Sequence, residues 1–207
     1  MPNQMPTCPT RSQIMPKQFL RRIDKAGLAK GLLYDPRFDG AGQPRPDCLL
    51  NQAPWEGASI LIGGSNFGCG SSREHAVWGL QQDGIEAVIA PSFGEIFYSN
   101  AMNNRLLLVM LPEEAIARLM ADAANPATNR VRIDLASMTV QSAAVNTTFS
   151  LSVRHLAMFR ERLDMIGASL LHRDAILAFA ASHWAQKPWL RNVAQRTRTR
   201  LGNTDIV

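Results

Sequence analysis

Long apolar runs are absent from this 207-residue sequence. The longest uninterrupted ones span residues 106–111 and 175–181, far short of the roughly 20 apolar residues that a membrane-spanning helix needs. Residues 1–13 are polar and proline-rich and contain no apolar stretch of the kind found in a signal peptide. We therefore expect a protein without a membrane segment, located in the cytoplasm.

Cysteine is also scarce, since the chain has only Cys8, Cys48 and Cys69. These three are far apart and form no Cys-x-x-Cys pair, and the four histidines show no His-Glu-x-x-His spacing. Such a pattern argues against a disulfide framework and against a metal site made by this chain alone. The sequence predicts that this chain binds no cofactor by itself.

Acidic residues are few near the end of the chain. Residues 187–207 contain five basic residues and one acidic residue, which accounts for most of the net charge of +5. A basic segment of this kind is usually a solvated end of the chain. We expect a flexible tail there, and no nucleic-acid partner.

Hydrophobic periodicity predicts one α/β domain over residues 1–186, with a mixed sheet flanked by helices and an irregular, shortened start at residues 1–13. The core should be aliphatic, because aromatic residues make up only 7% of the chain. Residues 34–54 read as a long loop, and Asn146 and Thr147 as a turn. Strands are expected at 58–62, 87–90, 106–110, 131–135, around 140 and at 149–153, and helices at 17–28, 73–82, 94–103, 113–123, 155–163 and 172–184.

The most informative segment is the Gly-rich turn that precedes the helix expected at residue 73. Residues 63–70 contain four glycines, which let the backbone turn sharply and approach a ligand closely. The segment follows a predicted buried strand, where open α/β sheets bind ligands. Ser71, Ser72 and Arg73 come next, at a helix N-terminus that favours anions. The sequence therefore predicts an anion site here.

The spacing excludes two nucleotide motifs, since the P-loop lysine is missing and Arg73 stands where a dinucleotide loop has its last glycine. A carboxylate fits the short Ser-Ser-Arg cap better than a polyphosphate does. Structural roles remain open for the same segment. A serine can cap the helix, and Glu74 can balance the helix dipole or pair with Arg73. His75 can be a surface or core residue, and Cys69 fits a small buried residue.

Residues 67–76, Phe-Gly-Cys-Gly-Ser-Ser-Arg-Glu-His-Ala, resemble the signature of the small subunits of 3-isopropylmalate dehydratase (isopropylmalate isomerase), and are similar to the swivelling domain of aconitases. The resemblance extends over about residues 14–180. Further segments match that family in order and spacing: residues 16–20, 57–61, 84–93, 96–98, 164–167 and 174–176.

The resemblance implies an aconitase-like swivelling β/β/α domain that isomerises a hydroxy acid in leucine biosynthesis by removing and re-adding water. It implies a [4Fe-4S] cluster held by a separate large subunit, where it acts as a Lewis acid. It also implies that Ser71 is the catalytic base and that Gly70, Ser72 and Arg73 bind substrate. The loop at about residues 31–46 would help to select the substrate's side group.

The sequence departs from the family near its start, where Thr10 and Ser12 stand in place of two acidic residues. Two other functions therefore stay open. One is a divergent paralogue that acts on another small hydroxy acid, such as a methylmalate or a tricarboxylate, or that has impaired catalysis. The other is a stand-alone serine hydrolase or a module that binds anions or RNA.

Overall fold

A computed structural model describes residues 14–16, 18–19, 27–70 and 73–202 of the protein. The chain forms two units, Met1–Asp164 and Met165–Val207. The first unit contains both sheets and the Gly-rich turn, and the second is helical. The boundary expected at residue 186 stays a prediction, and Thr10 and Ser12 lie outside the described residues.

The first unit is built around a parallel sheet of three strands in the order β1-β2-β3. The strands are β1 (Ile60–Ile62), β2 (Ala87–Ala90) and β3 (Leu107–Met110). In the central strand Val88 pairs with Leu108, and Ile89 pairs with Val109. Both sheet faces are buried, as is typical of parallel sheets covered by helices. Helices join these parallel strands along the chain.

Three helices follow the three strands. They are α2 (His75–Gln82), α3 (Glu95–Asn103) and α4 (Glu113–Ala124), preceded by the short α1 (Tyr34–Arg37). Val77 and Leu80 of α2 pack with Val88 in the core on one side of the sheet, while α4 contributes to the core on the other side. Each fully buried side chain of this size stabilises the fold by about 1.5–3 kcal/mol.

A second sheet in this unit is antiparallel, in the order β4-β5-β6. Its strands are β4 (Arg132–Asp134), β5 (Thr139–Gln141) and β6 (Asn146–Thr148). The expected α/β class is confirmed, with the parallel and antiparallel strands in two separate sheets.

The turn expected at Asn146 and Thr147 is wrong, because both residues lie in β6 and pair with β5. The turn comes earlier, where Asp122 of α4 holds it: Asp122 Oδ2 accepts hydrogen bonds from Ser142 Oγ at 2.6 Å and from the Ala144 amide at 2.8 Å. The Ser142 bond and then the Ala144 bond lower the pKa of the Asp122 carboxyl. A side chain 20 positions away in sequence therefore decides where this hairpin turns.

The strand expected at residues 149–153 is not formed. Instead α5 (Val153–Arg160) begins there, with the Ser152 side chain accepting a hydrogen bond from the His155 amide. The long loop expected at residues 34–54 contains α1 and two short 3-10 helices, Leu49–Asn51 and Ala53–Trp55. A third 3-10 helix, Ala29–Gly31, precedes them. Most of the helix expected at residues 17–28 lies outside the described residues.

The second unit consists of α6 (Met165–Leu170), α7 (Arg173–Gln186), a 3-10 helix (Pro188–Leu190) and α8 (Val193–Leu201). Helix α7 matches the helix expected at residues 172–184 within two residues. Among the described helices of either unit, none is long and apolar enough to cross a membrane.

Candidate functional site

The candidate site lies at the carboxyl ends of the parallel strands, where the segments after β1 and β2 are bonded to each other. The Gly63 amide donates to the Ile89 carbonyl at 2.8 Å, and the Phe67 amide donates to the Ser92 carbonyl at 3.0 Å. The Gly94 amide donates back to the Phe67 carbonyl at 2.8 Å. These bonds hold residues 63–68, which we call the loop base, against the start of α3.

The loop base is also packed into the core through aromatic rings. Phe67 meets Phe97 edge-on, with ring centroids 5.5 Å apart. Gly68 has a φ of +77°, and a Cβ added there would lie 2.2 Å from Phe97 Cγ. Only glycine satisfies both the backbone angle and the space. The glycines of the motif are therefore needed here for close packing as well as for turning.

The loop base is joined to the segment after the third strand as well. The Ser65 hydroxyl donates to Glu113 Oε1 at 2.8 Å, and Glu113 is the first residue of α4. Segments following all three parallel strands thus meet at one sheet edge, as expected for a ligand site in an open α/β sheet.

The described residues of segment 69–73, which we call the loop tip, are exposed. Cys69 is exposed, so the expectation of a buried cysteine is wrong. The buried positions in this turn are taken by Phe67 and Gly68, and the chain leaves the core directly after them. Gly70 is exposed too, with a φ of +88°.

Ser71 and Ser72, the expected base and the expected substrate ligand, lie outside the described residues. In the sequence they stand between Gly70 and Arg73, which are both exposed. Helix α2 begins at His75, two residues later than expected, with Glu74 at its N-cap position.

Arg73 forms no ion pair with any described residue. Of the two roles considered for Glu74, pairing with Arg73 is not seen, since Glu74 Oε1 accepts a hydrogen bond from Asn104 Nδ2 at 2.9 Å. His75 is half-buried, and its ring centroid lies 5.2 Å from that of Trp78. The loop tip thus carries an exposed guanidinium beside a helix N-terminus, an arrangement suited to binding a carboxylate.

Comparisons with known proteins show the family to which the chain belongs. The family model of the aconitase C-terminal domain matches residues 4–114. The 3-isopropylmalate dehydratase small subunit 1 of Chromobacterium violaceum is 62% identical over 189 residues, covering 91% of this chain and 89% of the relative. The chain belongs to the 3-isopropylmalate dehydratase small-subunit family. The expected enzyme class, a subunit of a dehydratase (hydro-lyase), is confirmed.

Other members of the family are more distant in sequence. The small subunit 2 of Salmonella typhimurium is 43% identical over 181 residues, covering 87% of each chain. A crystal structure of 3-isopropylmalate dehydratase from Methanocaldococcus jannaschii superimposes with a TM-score of 0.55 at 25% identity, covering 80% of this chain and 88% of that one.

The residues described here do not fit an iron–sulfur cluster. Such a cluster is held by several cysteine thiolates, and no group of three or more His, Cys, Asp or Glu side chains that could hold a metal occurs in the described part of the chain. Cys48 and Cys69 are free cysteines. No step of the chemistry proposed below is therefore assigned to a cluster in this chain.

The segment that the family resemblance links to substrate choice is fastened to the other end of α2. Arg37 Nη1 lies 3.2 Å from both carboxylate oxygens of Asp83, and Arg37 Nε donates to Asn51 Oδ1 at 3.3 Å. The Asn51 side chain also donates to the Arg37 carbonyl at 2.6 Å. Helix α2 therefore contacts the proposed selectivity segment at its C-terminus and the loop tip at its N-terminus.

Sequence reasoning missed three residues that shape the site: Ser92, Gly94 and Asn104. A Cβ at Gly94 would lie 3.0 Å from the backbone nitrogen and Cα of Cys69, so the absence of a side chain there sets the position of the loop tip. The family resemblance included Ser92 only as part of a matching segment. No local pattern points to these roles of Gly94 and Asn104, because Cys69 is 25 residues from Gly94 and Glu74 is 30 residues from Asn104.

Proposed function

We propose that this chain is the small subunit of a heteromeric 3-isopropylmalate dehydratase, which interconverts 2-isopropylmalate and 3-isopropylmalate by dehydration and rehydration in leucine biosynthesis. The observation that carries the proposal is the exposed Arg73, which has no ion-pair partner among the described residues and precedes the N-terminus of α2. Two serines come directly before it in the sequence. The 62% identity to a small subunit of that name supports the choice of substrate.

In this proposal Ser71 is the base. Its alkoxide oxygen removes the proton from the carbon next to a substrate carboxylate, while hydroxide leaves the neighbouring carbon, and the reverse steps add water back in the other orientation. A serine hydroxyl is a weak acid, so its anion has to be stabilised. The N-terminus of α2 and the Arg73 guanidinium supply fixed positive potential for that purpose.

Arg73, Ser72 and Gly70 bind a substrate carboxylate in this proposal. The guanidinium offers two parallel N–H donors that match the two oxygens of a carboxylate. A serine hydroxyl and an exposed glycine amide add further donors at short range, and the lack of a side chain at Gly70 leaves room for the ligand.

The proposal assigns the [4Fe-4S] cluster and the opposite wall of the site to a separate large subunit. The exposure of Gly70 and Arg73 supports this, because a site that is open to solvent on one side needs a second surface to exclude water. The proposed compartment is the cytoplasm, and the free Cys48 and Cys69 are compatible with its reducing conditions.

The test is an anaerobic assay in which the chain is mixed with its cognate large subunit, carrying a reconstituted cluster, and with 2-isopropylmaleate. We expect hydration that requires both subunits. If the subunits co-elute on gel filtration but give no turnover, the substrate assignment is wrong and other small hydroxy acids should be tried. Turnover by this chain without a partner and without iron would refute the heteromeric proposal.

Replacing Ser71 with alanine tests whether this residue is the catalytic base. Loss of a positioned general base lowers kcat by about 10²–10⁴-fold, so Ser71→Ala should bring turnover close to background. Gel filtration should show that the complex still assembles. Ser137→Ala is a matched control, since that serine lies in the turn between β4 and β5, and it should keep normal turnover. Normal kcat in the Ser71→Ala complex would refute the role of Ser71.

A further inference from the structure

We propose that Asn104 is a positioning residue that keeps the Glu74 carboxylate away from the anion-binding groups of the loop tip. The inference rests on the proposed function and adds a residue to the same site. Glu74 is the only acidic residue in residues 63–75, and it directly follows Arg73. Its carboxylate is the nearest intramolecular competitor, in sequence, for the position that a substrate carboxylate would take.

Asn104 is held in one orientation by its own hydrogen bonds. Its Nδ2 donates to Glu74 Oε1 and to the Asn100 carbonyl, both at 2.9 Å. Its Oδ1 accepts from Trp78 Nε1 at 3.0 Å. An amide side chain has two N–H donors and a carbonyl acceptor, so each kind of group has a partner. With the amide reversed, Asn104 Nδ2 would face Trp78 Nε1, and both are donors. The oxygen of the Asn104 side chain is therefore assigned to the side facing Trp78.

The backbone of Asn104 strengthens this arrangement. Gln81 Nε2 of α2 donates to the Asn104 carbonyl at 2.7 Å, and the Asn104 amide donates to the Asn100 carbonyl at 3.1 Å. Asn104 is the C-cap residue of α3. It therefore connects the end of α3 to Trp78 and Gln81 of α2. The Asn104 amide that binds Glu74 is held in place by these contacts.

The consequence for the site is electrostatic. A Glu74 carboxylate released from Asn104 could turn toward the Arg73 guanidinium or the first N–H groups of α2, both of which attract anions. Tethered next to them, it would compete at high effective concentration with a substrate carboxylate. With Glu74 held by the Asn104 amide, Arg73 stays available, in agreement with the absence of any ion pair between Arg73 and the described residues.

The experiment measures kcat and KM of the reconstituted heteromer carrying Asn104→Ala, Glu74→Gln or both substitutions. Because the competing carboxylate is exposed and its attraction to Arg73 is weakened by solvent, Asn104→Ala should raise KM by about two- to fivefold, with kcat nearly unchanged. Glu74→Gln should leave KM at or below the wild-type value. In the double variant KM should return to that of Glu74→Gln, because no carboxylate is left to compete. Asn103→Ala is the matched control, since the Asn103 side chain bonds only to Ser99 among described groups.

The outcomes separate this inference from the proposed function. Turnover by the wild-type heteromer with an unchanged KM in Asn104→Ala overturns the inference alone. A raised KM that persists in the double variant also overturns it, since Asn104 would then act only through stability. An inactive wild-type heteromer overturns the proposed function and the inference with it.

Asn104→Asp is a second variant in case the alanine variant does not fold. It keeps the shape and the acceptor for Trp78 but replaces the amide donor facing Glu74 with a second negative charge. It should raise KM as Asn104→Ala does. Glu74→Gln should again lower KM, since the glutamine amide can donate to the new carboxylate. If Asn104→Asp leaves KM unchanged, the inference is wrong.

Discussion

The loop base, residues 63–68, and the loop tip, residues 69–73, are adjacent in sequence but held in different ways. The base is bonded to Ile89, Ser92 and Gly94 through its backbone and packs Phe67 against Phe97. The described residues of the tip are exposed. The comparison indicates that the loop base sets the position of the loop tip, which carries the groups proposed to act on the substrate. Substitutions in the loop base should therefore lower the stability of the fold, and substitutions in the loop tip should lower activity.

The largest effect is expected in the loop base, on the free energy of unfolding. Gly68→Ala should lower the free energy of unfolding by about 2–5 kcal/mol, the sum of the cost of a positive φ and of forcing a methyl group against the buried Phe97. Gly57→Ala is the matched control, because Gly57 has a similar φ of +71° but no atom within 4 Å of the added Cβ. It should lose only about 1–2 kcal/mol. Urea unfolding of both variants measures the difference, and equal losses would show that packing at Gly68 is not limiting.

The next effect is on the tip. Arg73→Lys should raise KM for the proposed isopropylmalate substrate by roughly tenfold, or about 1.4 kcal/mol, because lysine cannot bind both carboxylate oxygens with a planar fork. Stability should be unaffected, since Arg73 is exposed. Arg130→Lys, at another exposed arginine, is the control. A loss of stability in Arg73→Lys, or an unchanged KM, would contradict the division between base and tip.

The smallest expected effect is at the junction of the two regions. Gly94 has a φ of −61° that alanine adopts freely, but the added methyl group would lie 3.0 Å from the Cys69 backbone. Gly94→Ala should move the tip by a few tenths of an ångström and lower kcat by about a few-fold, since catalysis depends steeply on position. Gly40→Ala, which meets no atom within 4 Å, should keep normal kcat. If kcat in Gly94→Ala is also normal, the tip is not positioned through this contact.

The elements that the sequence predicted well are those with a strong local signal. Strand β2 has the expected limits, and α3 and α4 agree with prediction within one residue, because buried strands and amphipathic helices carry their periodicity in the residues themselves. The Gly-rich turn was also predicted, because its four glycines lie close together in the sequence. The family assignment rests on the same segment and is confirmed by the relatives.

The wrong predictions share a different cause. Asn146 and Thr147 are common turn residues, yet the turn is displaced because Asp122 binds Ser142 and Ala144. Cys69 was expected to be buried on the basis of residue type, yet its neighbour Phe67 takes the interior position. In the first case a residue distant in sequence overrides the local preference. In the second case the interior position is taken by Phe67, two residues before Cys69, through its packing against the distant Phe97.

The sequence by itself determined the α/β class, the order of the main elements, the Gly-rich turn and the family, because each of these depends on residues close together in the chain. Only the tertiary structure decided that the loop base is anchored to residues 92–94, that Cys69 is exposed, and that Glu74 is bonded to Asn104 and not to Arg73. The physical reason is that these features depend on hydrogen bonds and close packing between groups that become neighbours only when the chain folds.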